Sequence, residues 1–345
     1  MLQKTINAIQ ALDEAAMEAA QNRLDFLLKP QGSLGKLEDI AKQMAGITGQ
    51  VQNTIGKKTI MIGCSDNGIY EEGVASFPQE ISCLVADCMV KGISGVAALA
   101  KNAGADLHVV DLGLLNDVPT EGVINRKIRR STSNFTKEYA MSREEAIQAI
   151  EIGIEETHKA IDNGYELLGT GEVGIANTTT SSAMLYGFTG KNLDLLVGRG
   201  AGLDDAGLER KKEVIRLAFE KHQPNVNDPI ELLSAVGGFD IAFMAGVYLG
   251  AASRRKPVVM DGFISGVAAI LATRLCPAVK GYILPSHGSA EPGAVAVFED
   301  LGLEPMLMMN MRLGEGTGAA LAFGIIDAAL AMMNNQGTFA DIQMA

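Results

Sequence analysis

Short apolar, β-branched runs recur along the chain, bounded by Gly, Asp or Pro: KTIMIG at 58–63, LHVVDLG at 107–113, LDLLVG at 193–198, PVVMDG at 257–262, GYILP at 281–285 and PMLMM at 305–309. Each reads as a strand buried on both faces. Between them lie Ala-rich stretches with apolar residues at helical spacing, among them 78–104, 204–222 and 261–275. This alternation predicts an α/β fold with a parallel sheet and helices on both faces. Ligands then collect at the carboxyl ends of the strands. Residues 1 to about 50 and the stretch from about 316 onward show helical patterning without strands, and the two ends are expected to pair as a small helical lobe, 1–50 with about 316–345, beside a domain at 51–315. The polar segment 124–144 reads as an excursion from the sheet.

The chain has 345 residues, 47% of them apolar, which is enough for a large core. Its 29 Lys and Arg against 41 Asp and Glu give a net charge of -12, which argues against nucleic acid and anionic lipid as partners. The longest apolar stretch, Ala319 to Met333, is interrupted by Asp327 and reads as a buried helix rather than a membrane span. Four cysteines without a CxxC pair fit reduced thiols in a cytoplasm. No His, Cys, Asp or Glu grouping has metal-ligand spacing, so no metal and no cofactor is expected.

Glycine-rich turns carry the candidate chemistry. GTGEVG at 169–174 satisfies the G-x-G-x-x-G dinucleotide fingerprint, but Glu172 stands where a pyrophosphate is expected. The fingerprint also wants an acid at the end of the next strand, and Asp194 begins its run instead. The following NTTTSS reads as a helix start capped by Asn177 or a nearby Thr. Gly174, Asn177, Thr178, Thr179 and Ser181 are then candidate contacts to a phosphate at a helix N-terminus, the alternative being a packing turn. In MRLGEGTG at 311–318, Glu315 sits between two glycines before a helix, an arrangement that exposes a carboxylate to a ligand or merely favours the helix dipole. Arg199, Lys211 and Lys212 in GRGAGLDDAGLERKK at 198–212 are the nearest cations for a phosphate, the alternative being a solvated charged helix start, with Asp204 or Asp205 capping that helix. His287 in SHGSAEPG is structural or substrate-adjacent. Ser76 and Gln79, in the loop after the first strand, are candidate polar contacts or caps.

These motifs, with KPQGSLGKLE at 29–38 and VGGFDIAFMAG at 236–246, occur in the order found in nicotinate-nucleotide:dimethylbenzimidazole phosphoribosyltransferases, and the chain resembles that family over nearly its whole length. The resemblance implies a Rossmann-like parallel sheet, a small lobe from both chain ends and a homodimer, or a heterodimer with a paralogue. Its partners are nicotinate mononucleotide and a lower-ligand base. It further implies Glu315 as general base, Glu172 as a second carboxylate near the ribose and the 174–181 turn with Lys211 as phosphate holder; Arg199 is then a further candidate at the phosphate, and Ser76, Gln79 and Leu313 are the candidates at the base. One departure stands out: Asp66-Asn67-Gly68-Ile69 replaces the family's D-H-G-V near the base, and the family also has members that activate purines or phenols. The competing expectations are a supporting paralogue subunit and an NAD-dependent dehydrogenase.

Overall fold

The computed structural model describes residues 1–342. Six parallel strands form one sheet: β1 (Lys57–Ser65), β2 (Ala105–Gly113), β3 (Ile124–Asn125), β4 (Tyr165–Val173), β5 (Val258–Met260) and β6 (Ile283–Pro285). The order is β3-β2-β1-β4-β5-β6, so the strand sequence reverses between β1 and β4. That is the Rossmann arrangement, whose crevice opens beyond the carboxyl ends of the two central strands. β1 and β4 are buried over almost their full length, which is why their sequences are near-continuous apolar runs.

Two expected strands are something else. LDLLVG at 193–198 forms a single helical turn, Leu193–Leu196, because the Asn192 side chain accepts the Asp194 N–H at 3.0 Å and caps it. PMLMM at 305–309 makes only an isolated bridge, Leu307 with His287. Its neighbour β6 ends at Pro285, which has no N–H to continue the ladder, and Met308 and Met309 face outward. The 124–144 excursion contributes the two-residue edge strand β3.

The helices Glu14–Phe26 and Lys36–Thr48 meet the end of the last helix, Thr317–Asn335, in a separate apolar cluster of Ala20, Leu24, Leu27, Ala41, Ala45 and Met333. On this cluster we infer that the chain ends form one small lobe; its residues 343–345 lie outside the described residues. The beginning of the last helix, in contrast, lies on the sheet, where a Cβ on Gly169 would come within 2.8 Å of Ala319 Cβ. Lys58 of β1 pairs with Asp327, the charge that interrupts the apolar run of this helix. The apolar segment 80–103 bends between two helices, Glu80–Val90 and Gly95–Ala103.

Candidate active site

At the β1/β4 switch point lies a cleft of about 620 Å³. Glu172, the penultimate residue of β4, points into it with its side chain otherwise buried. One oxygen accepts the Glu315 backbone N–H at 3.2 Å and the other accepts Asn177 Nδ2. The same amide reaches Asp240 Oδ2 at 3.2 Å, so a single Asn bridges two buried carboxylates. Burial, then the negative charge of Asp240, holds the Glu172 carboxyl well above its usual range. Burial likewise pushes Asp240 up to about 6.

Glu315 enters the cleft from a turn whose backbone is left-handed at three successive residues, Gly314, Glu315 and Gly316, with φ of 81, 64 and 91°. A side chain on Gly314 would overlap Glu172 Oε1, and one on Gly171 would come within 2.6 Å of the Glu315 carbonyl oxygen. The glycines around both glutamates are therefore there so that this turn can lie directly on β4. A non-glycine residue in this conformation costs about 1–2 kcal/mol, a cost that recurs at functional sites. Burial, then the charge of Asp261, raises the half-buried Glu315 carboxyl to about 7.

Cations approach from the helix Asp205–His222 and the loop before it. Lys211 is fully buried, and its Nζ donates to Thr178 Oγ1 at 2.9 Å and to the Gly198 carbonyl at 3.0 Å. Burial lowers its pKa to about 8, opposed by Glu291. Arg199 lines the cleft and is held by the Leu203 carbonyl and Asp205. Asp204 caps the helix, accepting the Gly207 N–H at 2.8 Å. The helix Asn177–Thr189 starts from Ala176 at φ 73° with no side-chain cap, leaving its positive end open beside Thr178. Asn177 is the first residue inside this helix rather than its N-cap, and its Nδ2 donates to the two carboxylates.

Of the expected contacts, Ser76, Gly174, Thr178 and Leu313 join Glu172, Asn177, Arg199, Lys211 and Glu315 around the cleft. Three do not. Thr179 and Ser181 are turned into the protein interior, with hydroxyls that have no partner among the described residues, because only one stripe of a buried helix can face the ligand. Gln79 instead donates to the Asn67 carbonyl at 3.1 Å. Asn67 is itself fully buried and does not line the cleft. Asp261, Glu291 and Arg312 line the cleft, but the sequence reading gave them no role; Asp261 had a visible signal, since it closes the run PVVMDG at a strand end. Phe77, Ile81 and Val85 add an apolar wall beside Ser76.

The dinucleotide reading fails on geometry. Gly169 and Gly171 lie inside β4 and not in the turn after it, so the tight phosphate-cradling turn of a dinucleotide site is absent from this stretch. The profile of a family described as phosphoribosyltransferase matches residues 9–344. The chain belongs to this phosphoribosyltransferase family. It is 50% identical over 341 residues to the nicotinate-nucleotide–dimethylbenzimidazole phosphoribosyltransferase of Acetivibrio thermocellus, covering 99% of this chain and 97% of that one. The enzyme of the same name from Ruminiclostridium cellulolyticum is 51% identical over 342 residues, with 99% and 97% covered. The crystal structure of CobT from Thermus thermophilus superposes with a TM-score of 0.92 at 33% identity, over 96% of this chain and 99% of that one. The cleft thus brings both carboxylates together with the buried ammonium of Lys211 and the exposed guanidinium of Arg199.

Proposed function

We propose that this chain transfers the 5-phosphoribosyl group of nicotinate mononucleotide to a cobamide lower-ligand base, such as 5,6-dimethylbenzimidazole or a related benzimidazole, purine or phenol, with inversion at C1′. The names of the relatives support the reaction, and one observation carries it: Glu315 and Glu172 share a cleft with the buried ammonium of Lys211. In the donor the ring nitrogen is cationic. As the C1′–N bond breaks, its electron pair returns to the ring, releasing nicotinate, while positive charge grows on the ribose. Glu172, whose ionised form a cation beside it favours, stabilises that charge. The acceptor's lone pair attacks the opposite face, and Glu315 takes the acceptor's proton. Lys211, Thr178, Arg199 and the open helix end hold the 5′-phosphate. Ser76 and Leu313 contact the base.

The test is to incubate the purified single chain with nicotinate mononucleotide and a panel of benzimidazoles, purines and phenols, and to identify products by mass. An α-ribazole-type 5′-phosphate plus nicotinate supports the reading. No product with any acceptor would favour a supporting paralogue, and thermal stabilisation by NAD but not by nicotinate mononucleotide a dehydrogenase.

Glu315 must be ionised to accept a proton, and its carboxyl titrates at about 7. The base form therefore grows as pH rises through that value, and kcat/KM should fall about tenfold per pH unit below it. A pH–rate profile checks this; a flat profile down to pH 5 refutes it.

A cytoplasmic homodimer completes the proposal. The four cysteines are free thiols, in keeping with a reducing compartment. The segment 80–103 keeps Leu84 54% and Ile93 71% exposed, apolar side chains that a second copy would cover. Sedimentation analysis should give twice the chain mass, and Ile93→Glu should shift it toward monomer.

A further inference from the structure

Asp261 follows β5 and precedes the helix Phe263–Leu275, yet its side chain serves a different helix. The helix Thr317–Asn335 begins at Gly316, which has no side chain with which to cap it. Asp261 Oδ2 accepts the Gly316 N–H at 3.1 Å, and Oδ1 accepts those of Gly318 at 2.7 Å and Ala319 at 3.2 Å. One carboxylate from the end of β5 thus satisfies three N–H groups that the helix would leave bare. Those groups sit immediately around Glu315. The contact is tight: a Cβ on Gly318 would come within 2.8 Å of Asp261 Oδ1 and overlap the His287 ring. Ser286 Oγ donates to the Asp261 carbonyl at 2.8 Å and lies 2.9 Å from His287 Nδ1, so the residues after β6 buttress the same point. The Asp261 N–H donates to Ser265 Oγ at 3.1 Å.

We propose that Asp261 is the positioning residue for Glu315: it clamps the left-handed turn through three backbone amides and presents a fixed negative charge to the Glu315 carboxylate. This rests on the reading of Glu315 as the base. Burial raises the Asp261 carboxyl above its usual range, and His287 with the three amides, which favour the ionised form, offsets this in part. The other titratable groups that sense the Asp261 charge are Glu172 from β4, Glu315 from the turn and the Tyr248 phenol from the helix Phe239–Ser253. Asp261 thereby does two things at once. It sets where the Glu315 carboxylate stands, and it makes that carboxylate a stronger base than burial alone would.

The test uses two neutral caps, Asp261→Asn and Asp261→Ser, in the full chain. Removing the like charge should move the acid limb of kcat/KM down by roughly half a pH unit or more. Plateau kcat should fall about three- to tenfold as the base weakens and the turn loosens. In a Glu315→Gln background, Asp261→Asn should add little further loss, because the two residues act as one unit. The 13C carboxyl titration of Glu315, assigned by its disappearance in Glu315→Gln, should shift in the same direction and needs no turnover. A parent that titrates and shifts in this way without transferring phosphoribose would overturn the proposed function while upholding the coupling. Folded variants with an unmoved Glu315 titration, or loss of fold in both, reduce Asp261 to a structural cap and overturn the inference.

Discussion

Glu315→Gln should lower kcat by about 100- to 10,000-fold, the usual contribution of a general base, while donor affinity and melting temperature change little. Gln keeps the shape of the side chain. The contact that fixes the turn to β4 comes from the Glu315 backbone N–H to Glu172, and a side-chain amide leaves it intact. What is lost is a carboxylate whose burial and proximity to Asp261 raise it to about 7, the range in which a base both ionises and binds a proton well at neutral pH. A phenolic acceptor, which must lose its proton to become a strong nucleophile, should suffer at least as much as an imidazole-type one whose attacking nitrogen already carries a lone pair. Steady-state kinetics over the acceptor panel decide the matter. Turnover within about threefold of the parent on every accepted base excludes Glu315 as base and makes Glu172 the next candidate.

Lys211→Ala should raise the KM for nicotinate mononucleotide by about 10- to 100-fold, the equivalent of one charge-assisted hydrogen bond, and leave the acceptor KM near its parent value. The ammonium is fully buried, and its hydrogen-bond partners among the described residues are Thr178 Oγ1 and the Gly198 carbonyl, neither of which carries charge. Burial, opposed only in part by Glu291, lowers its pKa to about 8, so a bound phosphate would restore the ionised form that burial disfavours. Donor lacking the 5′-phosphate provides the control: parent and variant should converge on it. A raised acceptor KM with an unchanged donor KM would move the phosphate elsewhere. Lys211→Arg should not rescue fully, since a planar guanidinium does not fit a space shaped for a point charge.

The chain by itself determined the α/β class, four of its strands and the two glycine-flanked glutamates, because each is written in local burial periodicity and turn chemistry. Resemblance in motif order carried the family. Local pattern was not enough where local capping competed with it, as at Asn192, which turned an apolar run into a helical turn. Nor could it reveal why Gly169 and Gly171 are glycines, since the atoms that exclude a side chain there belong to residues about 150 positions later in the chain. Only the tertiary structure brought Glu172 and Glu315, 143 residues apart, into hydrogen-bond contact. It also turned Thr179 and Ser181 inward, withdrew Gln79 to a backbone carbonyl and recruited Asp240 and Asp261. The physical reason is that periodicity reports which face of an element is buried, whereas the partner across that face is chosen by strand order, and the reversal between β1 and β4 is what gathers the distant strand ends into one cleft.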